Sequence, residues 1–154
     1  MLAIHEVMTQ RPITVTPGTT IGHVMGEFDR RDFNAIPVVD GGGVLVGIVT
    51  KLDVLRALRP TPDGEFPTPD AVTSQRVDSI MRTGVVTVEP EDPVLEAADL
   101  MVETRLRSLP VVRRLHGSAR RLVGIVSQGD LLRGLRSEPV IAPTSQQLES
   151  PWLA

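Results

Sequence analysis

Apolar residues along this chain come in short runs of two periodicities, and the same succession of runs occurs twice. Ile13-Thr14-Val15-Thr16 alternates apolar and polar as a half-buried strand does, and Pro17-Gly18 ends it. Ile21, Val24, Met25 and Phe28 then recur at i, i+3, i+4 and i+7, one face of an amphipathic helix that Thr19 or Thr20 opens and the polar residues Asp29 to Asp32 close. Ile36-Pro37-Val38-Val39 predicts a second strand, Asp40-Gly41-Gly42-Gly43 a hairpin turn and Val44 to Val49 a third strand. Leu52, Leu55 and Leu58 predict the inner face of a short helix, so the order is β-α-β-β-α.

The second half repeats this order. Met81 matches Met8, Thr87-Val88 matches Thr14-Val15, Pro90 matches Pro17, and Leu109-Pro110-Val111-Val112 matches Ile36-Pro37-Val38-Val39, all at a spacing of 73 residues. Val94, Ala97, Ala98 and Met101 reproduce the first helical face, and from Gly124 onward the spacing is 77, which predicts four extra residues in the second hairpin loop. A repeat of this length is one supersecondary unit that cannot bury its own hydrophobic face. The predicted fold is therefore mixed α/β (α+β): two βαββα repeats packed around a pseudo-twofold axis, with two related clefts between them. Repeat 1 is expected over residues 1–58, a Pro-rich linker over 59–75, repeat 2 over 76–136, and a mobile tail over 137–154 in which Trp152 alone has the bulk to dock.

Each copy ends its third strand in the same stretch, Gly47-Ile48-Val49-Thr50-Lys51-Leu52-Asp53 and Gly124-Ile125-Val126-Ser127-Gln128-Gly129-Asp130. A hydroxyl where strand turns to helix, followed three residues on by a carboxylate, has the spacing of a capping box with Asp in place of Glu. The same geometry has a second use. A helix N-terminus offers free N–H groups and a positive dipole end, which favour an anion such as phosphate, and the hydroxyl adds a donor. The carboxylate accepts hydrogen bonds only, which suits a sugar diol. Together they suggest a site of nucleotide size.

Composition narrows the field without naming a ligand. With 16 Lys and Arg against 19 Asp and Glu the net charge is -3, so there is no general attraction to nucleic acid or anionic membrane. The absence of cysteine excludes disulfides, thiolate zinc sites and thiol catalysis. No apolar run approaches the roughly 20 residues a membrane helix needs, and the first residues lack a signal core, so a soluble, cytoplasmic protein is expected.

Two sets of these features in register resemble a tandem pair of CBS domains, the cystathionine β-synthase-type regulatory module. The matching residues are Thr14-Val15, Thr87-Val88, the two Pro-Val-Val strands and both Gly-x-x-(Ser/Thr)-x-x-Asp stretches, covering roughly residues 5 to 136. The resemblance implies a disc-like pair, often assembled again into a homodimer, that binds AMP, ADP, ATP, NAD or S-adenosylmethionine between its repeats. It implies a regulatory, energy-sensing role without catalysis, the adenine nucleotide being a regulatory ligand rather than a catalytic cofactor, and an effector on a separate polypeptide. Residue by residue, it implies that Thr50 and Asp53 work with Val86, Thr87, Arg107 and Ser108, while Ser127 and Asp130 work with Ile13, Thr14, Asn34 and Ala35. Arg107 is a cation where its counterpart Asn34 is neutral, and Gly129 weakens the first turn of its helix, so the Asp53 cleft is expected to be the tighter. The competing reading is a constitutive interaction scaffold with empty clefts, in which both aspartates are caps only.

The remaining chemistry is sparse. Four arginines fall between Arg113 and Arg121 without neighbouring aromatic residues, which favours a solvated loop over a nucleic-acid surface. His5, His23 and His116 are scattered and give no transition-metal spacing. Glu89, Glu91 and Asp92 suit a helix N-terminus, nothing resembles an oriented nucleophile and base, and Gly41-Gly42-Gly43 lacks the Lys-Ser/Thr of a phosphate loop.

Overall fold

Proline sets how far the strands of this fold extend. The computed structural model describes residues 1–137, so Trp152 and the expected tail beyond Ser137 lie outside the described residues. Strand β1 is the short Thr9–Gln10. Strands β2 (Ala35–Val39) and β3 (Leu45–Thr50) form an antiparallel hairpin with Ala35 opposite Thr50. Strands β4 (Ser108–Arg114) and β5 (Arg120–Ser127) form its equivalent with Ser108 opposite Ser127. The strand expected at residues 13–16 contracts to one bridging residue. Val15 N–H donates to the Pro37 carbonyl at 3.1 Å, and the Val15 carbonyl accepts from Val39 N–H at 2.9 Å. The next rung of this parallel ladder requires an N–H on Pro37, which has none. Val88 is held beside Pro110 and Val112 in the same way and meets the same limit.

Helices α1 (Ile21–Arg30) and α2 (Lys51–Ala57) cover the first hairpin, and α4 (Val94–Thr104) and α5 (Gln128–Ser137) cover the second. Thr20 opens α1 by accepting from His23 N–H at 3.2 Å. The result is a mixed α/β fold with small antiparallel sheets and one apolar core per repeat. One core gathers Ile21, Val24, Ile36, Val38, Val49 and Val54, the other Val94, Ala97, Met101, Leu109, Val111, Val126 and Leu131.

The leading segments cross between the repeats. Ile4, fully buried, belongs to the core of the second repeat, while Val77, its equivalent at a spacing of 73, belongs to the core of the first. Thr9 pairs with Ile125 on β5, and Arg82 forms the matching bridge to Ile48 on β3. This crossing explains the glycine in each motif. A Cβ on Gly124 would lie 2.7 Å from Met8 Sδ and 2.9 Å from the Thr9 carbonyl; one on Gly47 would lie 2.7 Å from Met81 Sδ and 3.0 Å from the Arg82 carbonyl.

Three local expectations are corrected. The apolar stripe Leu52, Leu55 and Leu58 faces outward, and α2 buries Asp53 and Val54 instead, because the cap turns Asp53 toward Thr50 and brings Val54 onto the core. The four extra residues of the second repeat lengthen the hairpin strands to 7 and 8 residues, against 5 and 6 in the first, rather than the loop. Within the Pro-rich stretch, Pro69–Thr73 forms helix α3, capped by Thr68 and anchored by Val72, which is buried in the first core. The longer hairpin carries its arginines back onto acidic neighbours: Arg113 meets Glu91 at 2.9 Å and Arg114 meets Glu89 at 3.7 Å. The hydrogen bond from Arg113 holds the Glu91 carboxyl below its usual range, against a smaller opposing effect of desolvation.

The Gly124→Val variant is expected to lose about 1–3 kcal/mol in urea unfolding, because the added side chain pushes β1 off β5. Gly41→Ala, in an exposed turn with open space around it, is expected to stay within about 0.5 kcal/mol of the parent. Equal stability of the two variants would contradict the crossing.

Candidate functional site

The two strand-to-helix corners share a backbone and differ in what holds the carboxylate. In the first, Thr50 caps α2: its hydroxyl accepts from Asp53 N–H at 3.2 Å, while Asp53 Oδ2 accepts from the Thr50 N–H at 2.8 Å and the Thr50 hydroxyl at 2.9 Å. Asp53 Oδ1 accepts from Arg82 Nε at 3.0 Å and Arg56 Nη1 at 3.3 Å. Both oxygens are taken, and the side chain is 4% exposed. Burial of a carboxylate is tolerable because two guanidiniums and the cap compensate it.

The second corner repeats the cap with one guanidinium fewer. Asp130 N–H donates to Ser127 Oγ at 3.1 Å, Ser127 N–H to Asp130 Oδ2 at 2.8 Å, and Arg133 to Asp130 Oδ1 at 2.6 Å. Arg133 is the counterpart of Arg56. The counterpart of Arg82 is Thr9, too short to reach the carboxylate, and Asp130 is left 13% exposed. Asp130 and Ser127 open onto a cavity of about 690 Å³, within the range of small-molecule sites.

Residues from both repeats line this cavity. Ile13, Asn34 and Ala35, which the resemblance assigns to the Asp130 cleft, contribute from the first, and Phe33 and Pro37 add apolar surface. Thr14 is exposed and is not part of the wall. Arg107 and Ser108 line this same cavity, not a cleft with Thr50 and Asp53. The reason is the hairpin: Ser108 lies opposite Ser127, and the Arg107 carbonyl accepts from Gln128 N–H at 3.0 Å, which pins Arg107 to the start of α5. The expectation that Arg107 makes the Asp53 cleft the more cationic is therefore corrected. Val86 packs on the second core, and the Thr87 hydroxyl accepts from Arg120 at 3.0 Å.

Four arginines line the cavity, Arg11, Arg31, Arg107 and Arg133, with Asp32 and Asp130 the opposing carboxylates. Arg31 is tied to Glu27 at 3.2 Å. The Glu27 carboxyl is held below its usual range chiefly by its hydrogen bond to Arg30, with desolvation opposing and Arg31 contributing further. Arg11 and Arg107 have no ion pair among the described residues. Sequence reasoning missed Arg11, Arg82 and Arg133. A signal for two of them was present: an Asp-x-x-Arg spacing recurs in both copies, and Arg82 replaces Thr9 at a repeat-equivalent position. Among the described residues no cluster of His, Asp and Glu is placed to hold a metal ion, and no helix is long and apolar enough to cross a membrane.

A family model described as CBS domain matches residues 4–60 and 77–137. The chain belongs to the CBS domain family. Both matched segments open on the exchanged residues, Ile4 and Val77. The CBS domain-containing protein YhcV of Bacillus subtilis (strain 168) is 35% identical over 131 residues, covering 85% of this chain and 84% of that one. Among solved CBS structures, CBSX2 in complex with AMP is similar with a TM-score of 0.72 and 26% identity, covering 88% of this chain and 97% of that chain. The CBS domain pair of protein MJ0100, in complex with 5-methylthioadenosine and S-adenosyl-L-methionine, is similar with a TM-score of 0.71 and 27% identity, covering 90% and 99%.

In this CBS pair, Arg82 and Asp53 are expected to couple by about 1.5–3 kcal/mol, the range of hydrogen bonds to charged groups. A double-mutant cycle of Arg82→Thr and Asp53→Asn in urea unfolding measures it, and a coupling near zero would contradict the internal ion pair.

Proposed function

We propose that this protein is a regulatory module that binds an adenosine-containing ligand in the Asp130 cavity and signals through a separate partner. One observation carries the reading: a single cavity joins a capped helix N-terminus, a carboxylate and residues of the opposite repeat. Its chemistry suits the parts of a nucleotide. The start of α5 and Ser127 favour a phosphate. Asp130 accepts from ribose hydroxyls once the exposed Arg133 swings aside, a small loss for a surface ion pair. Ile13, Phe33, Ala35 and Pro37 offer apolar surface to the base. Ligands of this class are bound by the related proteins CBSX2 and MJ0100, which supports the assignment.

The same reading assigns Asp53 a structural part. Its oxygens are already satisfied from within the chain, so the capping-only interpretation is favoured there, and one ligand per chain is expected rather than two. Thr50, Val86 and Thr87 then serve the fold rather than the ligand. A ligand that bridges the repeats and binds one arrangement more tightly than another biases their relation. Outward leucines at equivalent positions, Leu55 and Leu132, 59% and 69% exposed, support assembly into a homodimer through the helices.

Isothermal titration with AMP, ATP, NAD and S-adenosylmethionine tests the reading. At least one is expected to bind with a stoichiometry near one per chain and to raise the melting temperature, saturation at 100 times Kd adding about 2.7 kcal/mol. Asp130→Ala is expected to abolish binding, and Asp53→Ala to lower stability while leaving binding in place. Failure of every ligand to bind would favour the constitutive scaffold.

A further inference from the structure

Resting on the assignment of the Asp130 cavity to an adenosine compound, we infer that this cavity selects nucleoside di- and triphosphates over AMP and adenosine, and that Arg11 is the residue that makes the selection. Arg11 stands where the chain leaves β5 of the second repeat and crosses to Val15 beside β2 of the first. The corner demands a left-handed backbone, and Arg11 adopts φ 49°. Its equivalent in the second crossing is Gly84, at φ 61°, the residue that takes this conformation without steric conflict. The other non-glycine residue at positive φ, Arg105, terminates α4 and is accounted for by that role. An arginine at a corner where the symmetric position carries glycine is a strained choice, and strained positions cluster where the side chain serves a ligand.

The side chain of Arg11 lines the cavity and, like that of Arg107, has no ion pair among the described residues. Arg107 is anchored at the start of α5, where the first phosphate is favoured. Arg11 enters from the opposite edge of β5, following β1 on the segment that also carries Ile13. Asp32 is the one carboxylate on the wall that no ion pair engages among the described residues, so two unpaired guanidiniums leave cationic charge beyond it for more than one phosphate, and each can form a bidentate, charge-assisted pair with phosphate oxygens. A neutral nucleoside leaves both unanswered; a β-phosphate answers the second.

The experiment is titration of the full chain with adenosine, AMP, ADP and ATP at fixed salt, repeated with Arg11→Gly and Asp130→Ala. ADP and ATP are expected to bind at least about tenfold more tightly than AMP, the scale of one added charge-assisted bond. Arg11→Gly copies the residue of the equivalent corner; it is expected to melt no lower than the parent and to weaken ATP at least about tenfold more than adenosine. Equal affinity across the phosphate series, or equal losses of ATP and adenosine in Arg11→Gly, would overturn the selection while leaving the adenosine site intact. Absence of binding by all four compounds, or binding indifferent to Asp130→Ala, would overturn the site and the selection together.

Discussion

The crossing of the two leading segments is the constraint on which this fold depends. Each repeat closes its core with an apolar residue supplied from ahead of the other repeat, Ile4 in one direction and Val77 in the other. For that exchange the chain must lie flat on the last strand of the opposite hairpin, and a side chain on Gly47 or Gly124 would block it. The motif glycines are thus a packing requirement, and the hydroxyl and aspartate that follow them inherit a fixed position. The strand leads into the helix where the foreign segment passes. Cavity walls drawn from both repeats are a consequence, because the segment that crosses is also the segment that lines the seam.

Backbone symmetry and chemical symmetry part company at a few equivalent positions. Arg82 stands opposite Thr9, Gly84 opposite Arg11, and Arg107 opposite Asn34. The first difference gives Asp53 a second guanidinium and leaves Asp130 with Arg133 alone; the other two gather free cationic charge at the Asp130 corner. Substitutions at three positions therefore convert two similar corners into one that is satisfied from within and one that is open, with no change in the path of the chain. Burial reinforces the difference, since a carboxylate already holding four hydrogen bonds has little to gain from a sugar diol.

Much of this was legible in the sequence, and the limits have physical causes. The repeat, the hairpins, the first helix and both capping corners were carried by local periodicity and short spacings. Alternation at residues 13–16 overstates the strand because it does not register which side of its neighbour presents Pro37, and a missing N–H is what ends the ladder. The inner face of α2 is not legible from its three leucines, because the cap, not the apolar count, fixes the rotation of so short a helix. Helix α3 was hidden by prolines that suit a first turn as well as a linker. The resemblance assigns Arg107 to the Asp53 corner, whereas the opposition of Ser108 and Ser127, which no spacing along the chain states, sets it beside Asp130.

The exchanged segments also decide how such a molecule can be lengthened or shortened. Cut between the halves, either part keeps the wrong opening strand and loses the plug of its own core, so neither is a complete folding unit. A third repeat appended alone would have no counterpart to receive its leading segment or to lend one in return. Lengthening this architecture with every core still plugged therefore calls for repeats added in twos, with the pair, not the repeat, as the unit.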